Sequence, residues 1–313
     1  MNPNKTSGKT FLCVCLNPVI QKTLVFDRLQ LGEVNRTSAF RTDIAGKGLL
    51  PTRVLTQVGE KAVHLTQLGG PTRDWYLSMA KADSLSIEWV ESGSPIRTCT
   101  TVIERGSMEA TELVEEALPV AKGTSALVKG RFASLLPRVD VVLLSGTVAT
   151  GIEPGTMGEL AALAQEAGKS LYLDIKGKDL LDCLRCRPAC VKPNLEELAH
   201  TMGVPYASVR SDGAARRLVE DAGKMFHERY GCYLVVTRGG KPTLFWDGEK
   251  LGERSVDPVE VLNPIGSGDA FGAGLARMLE GGGSLSEAVA EGTRLGALNA
   301  AQLKPGSILP ELS

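Results

Sequence analysis

A glycine-rich turn that ends in an aspartate is the strongest chemical signal in this sequence. It lies in the segment NPIGSGDAFGAG at positions 263–274. Apolar residues follow at helical spacing, so a helix is expected to begin close to Asp269. The backbone N–H groups of Gly266, Ser267 and Gly268 could surround the oxygens of a transferring phosphoryl group. Asp269 could then accept the proton of an attacking hydroxyl, although an aspartate that merely caps a helix fits the motif equally well.

A second group of polar residues, in the string KPNLEE, follows the short apolar run at positions 189–191. In open α/β sheets, ligands bind beyond the carboxyl ends of the strands, which is where this string begins. Lys192 could bind a phosphate, Asn194 could form a hydrogen bond, and Glu197 could steady a hydrated Mg²⁺ ion. The structural alternative is a capping box between Asn194 and Glu197.

A third candidate is the turn in which Gly46 and Gly48 flank Lys47. The two glycines would let the lysine ammonium and the backbone approach an anion together. A helix is expected directly after the turn, because Pro51 suits a first helical turn. Exposed lysines in glycine-rich surface turns are common, so this motif needs the others beside it.

Two familiar nucleotide-binding motifs are absent. The string SGKT at positions 7–10 lacks the leading glycine of a P-loop and precedes a strand-like run instead of following one. The glycine turn at 266–268 lacks the third glycine of a dinucleotide fingerprint, since Phe271 occupies that place. These departures disfavour a P-loop nucleotide triphosphatase and a dinucleotide-binding dehydrogenase.

Short apolar runs and helix-like stretches alternate along most of the chain, which is typical of a parallel sheet covered by helices. The expected strands are Phe11 to Leu16, Val139 to Leu144, Leu171 to Leu173 and Tyr233 to Val236. The expected helices are Leu49 to Val58, Thr156 to Ala167, Leu195 to Met202, Ala214 to Arg229, Asp269 to Leu279 and Leu285 to Leu303. Two polar, β-prone stretches, about 19–43 and about 87–120, predict a β-lid over a site, with surface decoration as the alternative.

Composition and charge narrow the class of protein. The 313 residues are 43% hydrophobic and 23% charged, as in an ordinary globular enzyme or binding protein of one or two domains. Lys and Arg (35) nearly balance Asp and Glu (36), which leaves none of the positive excess typical of nucleic-acid binding. No signal peptide and no apolar stretch of about 20 residues is present, so we expect a cytoplasmic location.

The seven cysteines are expected to be reduced thiols, because their number is odd and the chain is long enough to fold without disulfides. The spacing of Cys183, Cys186 and Cys190 could offer three thiolates to zinc or an iron–sulfur cluster. No fourth ligand of matching spacing follows and no histidine is near, which favours incidental thiols at a helix end.

Seven motifs, taken in order, resemble those of the pfkB (ribokinase-like) carbohydrate kinases over nearly the whole chain. They are CLNP at 15–18, GKG at 46–48, QLGG at 67–70, LSG at 144–146, KPNLEEL at 192–198, TRGG at 237–240 and GSGD at 266–269. The first, second and fifth are closest to the branch of 1-phosphofructokinases and tagatose-6-phosphate kinases. The resemblance implies a single α/β domain over 1–313, with a doubly wound, mostly parallel sheet, helices on both faces and a small β-lid.

The resemblance also implies an activity: ATP-dependent phosphorylation of a hydroxyl on a sugar phosphate such as fructose 1-phosphate or tagatose 6-phosphate, with Mg²⁺. A kinase for a free sugar, polyol or nucleoside, and a non-catalytic binding protein, are the alternatives. Neither nucleic acid nor membrane is an expected partner. A homodimer formed through the lid is plausible, because an exposed lid edge could pair with a second copy.

The roles that the resemblance implies fall into four groups. The proposed base is Asp269, and the proposed anion hole is Gly266, Ser267 and Gly268. The nucleotide side would comprise Lys192, Asn194, Thr237, Gly239 and Asn299, the last bordering the adenine. The acceptor side would comprise Gln21, Gly46, Lys47 and Arg97, with the two cations meeting the acceptor phosphate. Glu197 would organise Mg²⁺ through water.

Departures from the family pattern are concentrated on the acceptor side. Gln21 stands where LNPxxD has an aspartate, and Leu50 stands where GGKGxN has an asparagine. Cys99 follows Arg97-Thr98 in a lid element that usually reads TRTN, and Pro264 replaces a common threonine. Because leucine forms no hydrogen bond, we expect altered sugar recognition beside a preserved phosphoryl-transfer half.

Overall fold

The structure, a computed structural model, describes residues 6–107 and 109–310. A nine-stranded main sheet has the order β13-β12-β11-β10-β9-β8-β1-β4-β5, and all neighbours from β11 to β5 are parallel. Its strands are β1 (Thr10–Val14), β4 (Lys61–Leu68), β5 (Ser86–Glu91), β8 (Val141–Ser145), β9 (Ser170–Asp174), β10 (Cys190–Val191), β11 (Tyr233–Arg238), β12 (Lys241–Trp246) and β13 (Leu251–Arg254).

A second sheet of four strands, which we call the lid, stands apart from the main sheet. Its order is β3-β2-β6-β7, with a parallel pair β2–β6 and antiparallel pairs at both sides. The strands are β2 (Val19–Phe26), β3 (Phe40–Ala45), β6 (Arg97–Glu104) and β7 (Glu109–Val114). The β-lid predicted from the sequence is thus present.

Helices cover both faces of the main sheet. They are α1 (Leu49–Gln57), α2 (Arg73–Ala82), α3 (Thr124–Leu135), α4 (Thr156–Glu166), α5 (Gly177–Leu184), α6 (Leu195–Thr201), α7 (Asp212–Tyr230), α8 (Ser267–Glu280) and α9 (Leu285–Ala300). In β1, Leu12 and Val14 pack into a core that includes α3 to α7, whereas Phe11 and Cys13 pack towards α1, α8 and α9. This alternation within one buried strand is expected, because successive side chains point to opposite faces of a sheet.

The doubly wound α/β class and the six predicted helices are confirmed, with helix ends shifted by a few residues at most. The second lid segment, about 87–120, needs a correction. It begins with β5, which pairs in parallel with β4 at the edge of the main sheet, and Ile87 and Trp89 pack beside α2. Only β6 and β7 of that stretch belong to the lid. A single domain over 1–313 stays a prediction.

Two further expectations concern surfaces. The outer strands of the lid, β3 and β7, expose Phe40 and Leu113 (62% and 58% exposed), but a homodimer through the lid stays a prediction. None of the helices in the described part of the chain has the length and apolar character that crossing a bilayer requires. The cytoplasmic location likewise stays a prediction.

Candidate active site

A cavity of about 420 Å³ lies between the lid and the carboxyl ends of the main-sheet strands. The ends of β1, β8, β9, β10 and β11 reach it through Asn17, Thr147, Asp174, Lys192 and Thr237. Ligands bind at this edge of doubly wound sheets, because neighbouring connections leave a crevice there. The cavity is therefore the candidate active site.

The glycine turn borders this cavity as the N-terminus of α8. Gly266 has φ of +87°, and a Cβ there would lie 2.8 Å from the backbone nitrogen of Gly306, so only glycine fits. The Ser267 N–H donates to Pro264 O at 3.2 Å. The N–H groups of Gly268 and Asp269 belong to the first turn, where no earlier carbonyl of the helix can accept from them. These two are the groups best placed to bind an anion.

Two buried asparagines hold the turn in shape. Asn299, which is 0% exposed, donates to Ile265 O at 2.9 Å and to Ser267 Oγ at 3.1 Å. Its side-chain oxygen accepts from the Gly306 N–H at 2.6 Å. Asn263 similarly links Leu303 O to the Ile265 N–H. The structure thus gives Asn299 a set of partners around the turn, and its position beside an adenine stays a prediction.

Asp269 lies at the floor of the cavity, only 9% exposed. Its Oδ1 is buried and has no hydrogen-bond partner. Burial and the nearby charge of Asp174 raise the pKa of Asp269 to about 7, against the opposing effect of two lysine ammoniums. A carboxylate with a pKa near neutrality can accept a proton at physiological pH and release it again.

A network of opposite charges surrounds this carboxylate. Asp174 Oδ2 lies 3.0 Å from Lys192 Nζ, and its Oδ1 lies 3.6 Å from Lys47 Nζ, too far for a hydrogen bond. Lys47 Nζ also donates to Glu197 Oε1 at 2.7 Å. Burial raises the pKa of Asp174, but Lys192 and Lys47 outweigh it and hold that pKa below its usual value. Burial lowers the pKa of Lys47, and the carboxylates of Asp174 and Glu197 reverse that shift.

The KPNLEE string forms the capping box that the structural alternative predicts, whereas its binding roles stay a prediction. Asn194 Oδ1 accepts from the Glu197 N–H at 2.8 Å, and Glu197 Oε2 accepts from the Asn194 N–H at 2.9 Å, which completes a capping box at α6. The other carboxylate oxygen of Glu197 faces Lys47. Glu197 therefore caps a helix and still presents a charged oxygen to the cavity.

The GKG turn places Lys47 on the transfer side of the cavity. A Cβ on Gly48 would lie 2.8 Å from both Cys15 Cβ and His64 Cε1, so a glycine is needed for α1 to approach β1 so closely. Lys47 then extends to Glu197 and Asp174. The sequence predicts that Lys47 meets a phosphate on the acceptor; the structure places its ammonium among the carboxylates.

The lid supplies Gln21 and Arg97 to the same cavity. Gln21 is 2% exposed, and its Nε2 donates to Thr101 Oγ1 at 2.8 Å. Arg97 donates from Nη1 to Glu115 O at 3.3 Å, whereas its buried Nε has no partner. Most of the five donors of this guanidinium are therefore left for a ligand.

Most predicted site residues line one cavity, and three do not. The lining includes Gln21, Gly46, Lys47, Arg97, Lys192, Asn194, Glu197, Thr237, Gly266, Gly268 and Asp269. Three predicted residues lie outside the lining. Ser267 and Asn299 hold the glycine turn in shape, and Gly239, with φ of +63°, lies between β11 and β12. Asp174 is not among the site residues predicted from the sequence, although its place directly after an apolar strand run, LYL, is a usable signal.

The donor set at the cavity suits a magnesium ion. Asp174 Oδ1 is buried without a hydrogen bond, and Glu197 offers a second carboxylate, the oxygen ligands that Mg²⁺ favours. Within residues 6–107 and 109–310, no three His, Cys, Asp or Glu side chains are grouped to hold a metal ion directly, and Cys183, Cys186 and Cys190 are buried free thiols.

Comparison with known proteins gives consistent relatives. The profile of the pfkB family carbohydrate kinases matches residues 14–312. Tagatose-6-phosphate kinase of Staphylococcus epidermidis is 25% identical over 299 residues, which cover 95% of this chain and 94% of the relative.

Solved structures show the same fold at lower identity. A possible 1-phosphofructokinase from Thermotoga maritima has a TM-score of 0.83 at 20% identity, covering 94% of this chain and 93% of its own. Phosphofructokinase-2 from Escherichia coli in complex with fructose-6-phosphate has 0.80 at 19%, covering 95% of each chain. Arabidopsis thaliana ribokinase complexed with ribose and ATP has 0.72 at 17%, covering 97% and 96%.

The main sheet with its separate lid is thus a ribokinase-like fold, as the sequence motifs predicted. The family profile covers nearly the whole chain, including every residue that lines the cavity. The protein therefore belongs to the pfkB family of carbohydrate kinases, phosphotransferases that use ATP and an alcohol acceptor.

Proposed function

We propose that this kinase transfers the γ-phosphoryl group of ATP to a hydroxyl of a small alcohol that already carries a phosphate, such as fructose 1-phosphate or tagatose 6-phosphate. The observation that carries this proposal is Arg97. Its guanidinium lines the cavity with a buried, unpartnered Nε and one long hydrogen bond. A phosphate would satisfy several of these donors at once, through the paired geometry that guanidinium groups favour.

The transfer step follows from the groups around α8. A carboxylate oxygen of Asp269 accepts the proton of the acceptor hydroxyl. At the same time the hydroxyl oxygen of the acceptor forms a bond to the γ-phosphorus. The bond between the γ-phosphorus and the bridging oxygen breaks, and ADP leaves with the electron pair. The N–H groups of Gly268 and Asp269 stabilise charge on the transferred group, as does Lys192, whose Nζ lies 3.8 Å from where a Cβ on Gly268 would stand.

Residues on the nucleotide side have supporting roles in this proposal. Thr237 and Asn194 line the cavity where β10 and β11 end, and Gly239 shapes the turn after β11. Asp174 and Glu197 would hold Mg²⁺, Glu197 through water. The ion would supply positive charge across the β- and γ-phosphates.

A second candidate, a kinase for an unphosphorylated sugar, polyol or nucleoside, is favoured by one observation. Lys47, the other cation assigned to the acceptor phosphate, is held 2.7 Å from Glu197. If Lys47 stays there, Arg97 alone faces the acceptor phosphate.

The test compares ADP formation with phosphorylated and unphosphorylated forms of each candidate sugar. For the parent, we expect turnover chiefly with the phosphorylated forms. Arg97→Ala is expected to raise KM for these acceptors by about 10-fold or more, because contacts to charged groups contribute about 1.5–3 kcal/mol. Arg105→Ala, on the exposed end of the lid, is the matched control. A preference for free sugars, or an equal penalty of Arg97→Ala on both forms, would favour the second candidate.

A further inference from the structure

An apolar wall forms one side of the cavity. It consists of Val19, Ala45, Leu50 and Cys99, a cluster of buried side chains separate from the cores that hold the main sheet and its helices. All four line the cavity, and none is more than 5% exposed. The apolar wall joins three lid strands to the first turn of α1.

Strand register explains why these side chains meet. Val19 on β2 lies opposite Ala45 on β3 and Arg97 on β6. Two residues further along β2, Gln21 lies opposite Cys99, and alternate residues of a strand share one face. The same face of the lid therefore carries Arg97 at one end and the apolar wall beside it.

Two of the polar side chains next to the apolar wall are already paired. Gln21 Nε2 donates to Thr101 Oγ1 at 2.8 Å. Asp43, which lies opposite Gln21, accepts two bonds from Arg41, at 2.5 and 2.8 Å. A thiol such as that of Cys99 is a weak donor. An acceptor hydroxyl turned towards this wall would lose its water and gain little in return.

The apolar wall also lies beside the transfer turn. Leu50 Cδ1 is 3.1 Å from where a Cβ on Gly266 would stand, and Leu50 also contacts Gly306. The acceptor hydroxyl must come to this turn to meet Asp269. The carbons next to the reacting hydroxyl therefore pass along the apolar wall.

A different side of the cavity offers hydrogen bonds. Asn17 is 6% exposed; its Nδ2 donates to Thr147 Oγ1 at 3.2 Å, whereas its Oδ1 is buried without a partner. The unpartnered Nε of Arg97 lies in the same cavity. The cavity thus has donors and acceptors on one side and hydrocarbon on another.

We propose that the preferred acceptor is a phosphorylated alcohol with one deoxygenated face, which packs a CH₂ or CH₃ group against Val19, Leu50 and Cys99. Its phosphate and remaining hydroxyls face Arg97 and Asn17. This inference rests on the proposed function, since it names the class of acceptor for the same transfer. A fully hydroxylated sugar phosphate is a poorer substrate, because it must bury a hydroxyl without a partner.

The experiment compares sugar phosphates with their monodeoxy analogues, such as ribose 5-phosphate with 2-deoxyribose 5-phosphate, over pentoses and hexoses, and includes the unphosphorylated form of each. Acceptor binding is measured by calorimetry in the presence of a non-hydrolysable ATP analogue and Mg²⁺. Turnover with ATP is measured as ADP formation. Leu50→Asn and Cys99→Ser each add a polar group to the wall. Cys232→Ser makes the same small change at a buried site outside the cavity and is the control.

In the parent, at least one deoxy analogue is expected to bind and react about 10- to 100-fold better than its hydroxylated partner. Leu50→Asn and Cys99→Ser are expected to shrink that ratio, whereas Cys232→Ser leaves it unchanged. Hydroxylated partners that bind as well as every deoxy analogue, or a ratio unaffected by both wall variants, would overturn the inference. A deoxy preference found only among unphosphorylated alcohols would overturn the proposed phosphate requirement and still support the wall.

Discussion

The two halves of the cavity are built by different physics. On the main-sheet side, Asp174, Lys192, Lys47 and Glu197 form ion pairs of 2.7 to 3.6 Å around Asp269. On the lid side, the neighbouring surface is the apolar wall, and Gln21 is occupied by Thr101. The transfer half presents a network of paired charges, whereas the lid side presents hydrocarbon with one guanidinium, that of Arg97, and one carboxylate, that of Glu112.

The charged residues of the transfer half should tolerate substitution less well than the side chains of the lid. Burying a set of charges is costly unless each has a partner, so such a network is retained where the chemistry needs it. Transfer of a phosphoryl group requires this charged network whichever acceptor is used. In the proposed function the lid contacts only the acceptor, and the ion pairs of the charged network join residues outside the lid strands. The comparison predicts that transfer-half variants affect rate and lid variants affect acceptor choice.

The largest expected effect is that of Asp269→Asn. Removal of the proton acceptor should lower turnover by about 10²- to 10⁴-fold, because a positioned acid–base group contributes that much. Nucleotide affinity, measured by calorimetry, should stay within about threefold of the parent. Asp221→Asn on the exposed side of α7 is the control. Near-normal turnover of Asp269→Asn would remove this residue from the mechanism.

The same variant should be more stable than the parent at alkaline pH. The folded pKa of Asp269 is raised to about 7 by burial, above the unfolded value of about 4. Its contribution to stability is therefore fully present below about pH 4 and is lost as pH rises through about 7. Asparagine avoids this loss, so urea unfolding at pH 8 should show a gain on the order of a few kcal/mol that disappears near pH 4. A gain independent of pH would contradict the shifted pKa.

A third prediction concerns the pH dependence of turnover. Since Asp269 must be deprotonated to act, kcat/KM should fall about tenfold per pH unit below about pH 7. Asp174→Asn removes a neighbouring negative charge that helps to raise this pKa, so the acid limb should move to lower pH. Asp179→Asn, on α5, is the control. If the acid limb does not move in Asp174→Asn, the charge of Asp174 does not raise the pKa of Asp269.

The smallest expected effect is on the metal requirement. Glu197→Gln keeps a side chain that can complete the capping box but removes the charge that would steady hydrated Mg²⁺. The Mg²⁺ concentration for half-maximal turnover should rise several-fold, with little change in KM for the acceptor. Glu196→Gln, at the neighbouring exposed position, is the control. If Glu197→Gln and Glu196→Gln have the same metal dependence, Glu197 acts only as a helix cap.

The parts of the fold that the sequence predicts are those with clear local signals. Helices with clear apolar spacing or caps, such as α6 and α8, begin within two residues of their expected positions. The segment TSALVKGRFASL, which forms α3, has a glycine at 130 and no clean apolar stripe, and it was not predicted. The assignment of β5 to the main sheet depends on pairing with β4, which no local pattern encodes.

In the candidate site, too, some residues are predicted by local sequence signals and others only by the fold. Asp269 and Glu197 stand in strings whose types and spacing indicate chemistry. A lone carboxylate after a strand, Asp174, acquires meaning only when the fold brings Lys192 and Lys47 to it. The sequence shows Leu50 in place of a family asparagine, but the apolar wall depends on the register of three lid strands against α1.

The most direct test of the proposed transfer follows the γ-phosphoryl group of ATP by ³¹P NMR in a mixture of sugar phosphates and their unphosphorylated forms with Mg²⁺. We expect a bisphosphorylated product that forms in equal amount with ADP in the parent, and at least about 10²-fold more slowly in Asp269→Asn. Transfer of the γ-phosphoryl group only to the unphosphorylated sugars, or a bisphosphate that forms equally fast in Asp269→Asn, would contradict the proposed function.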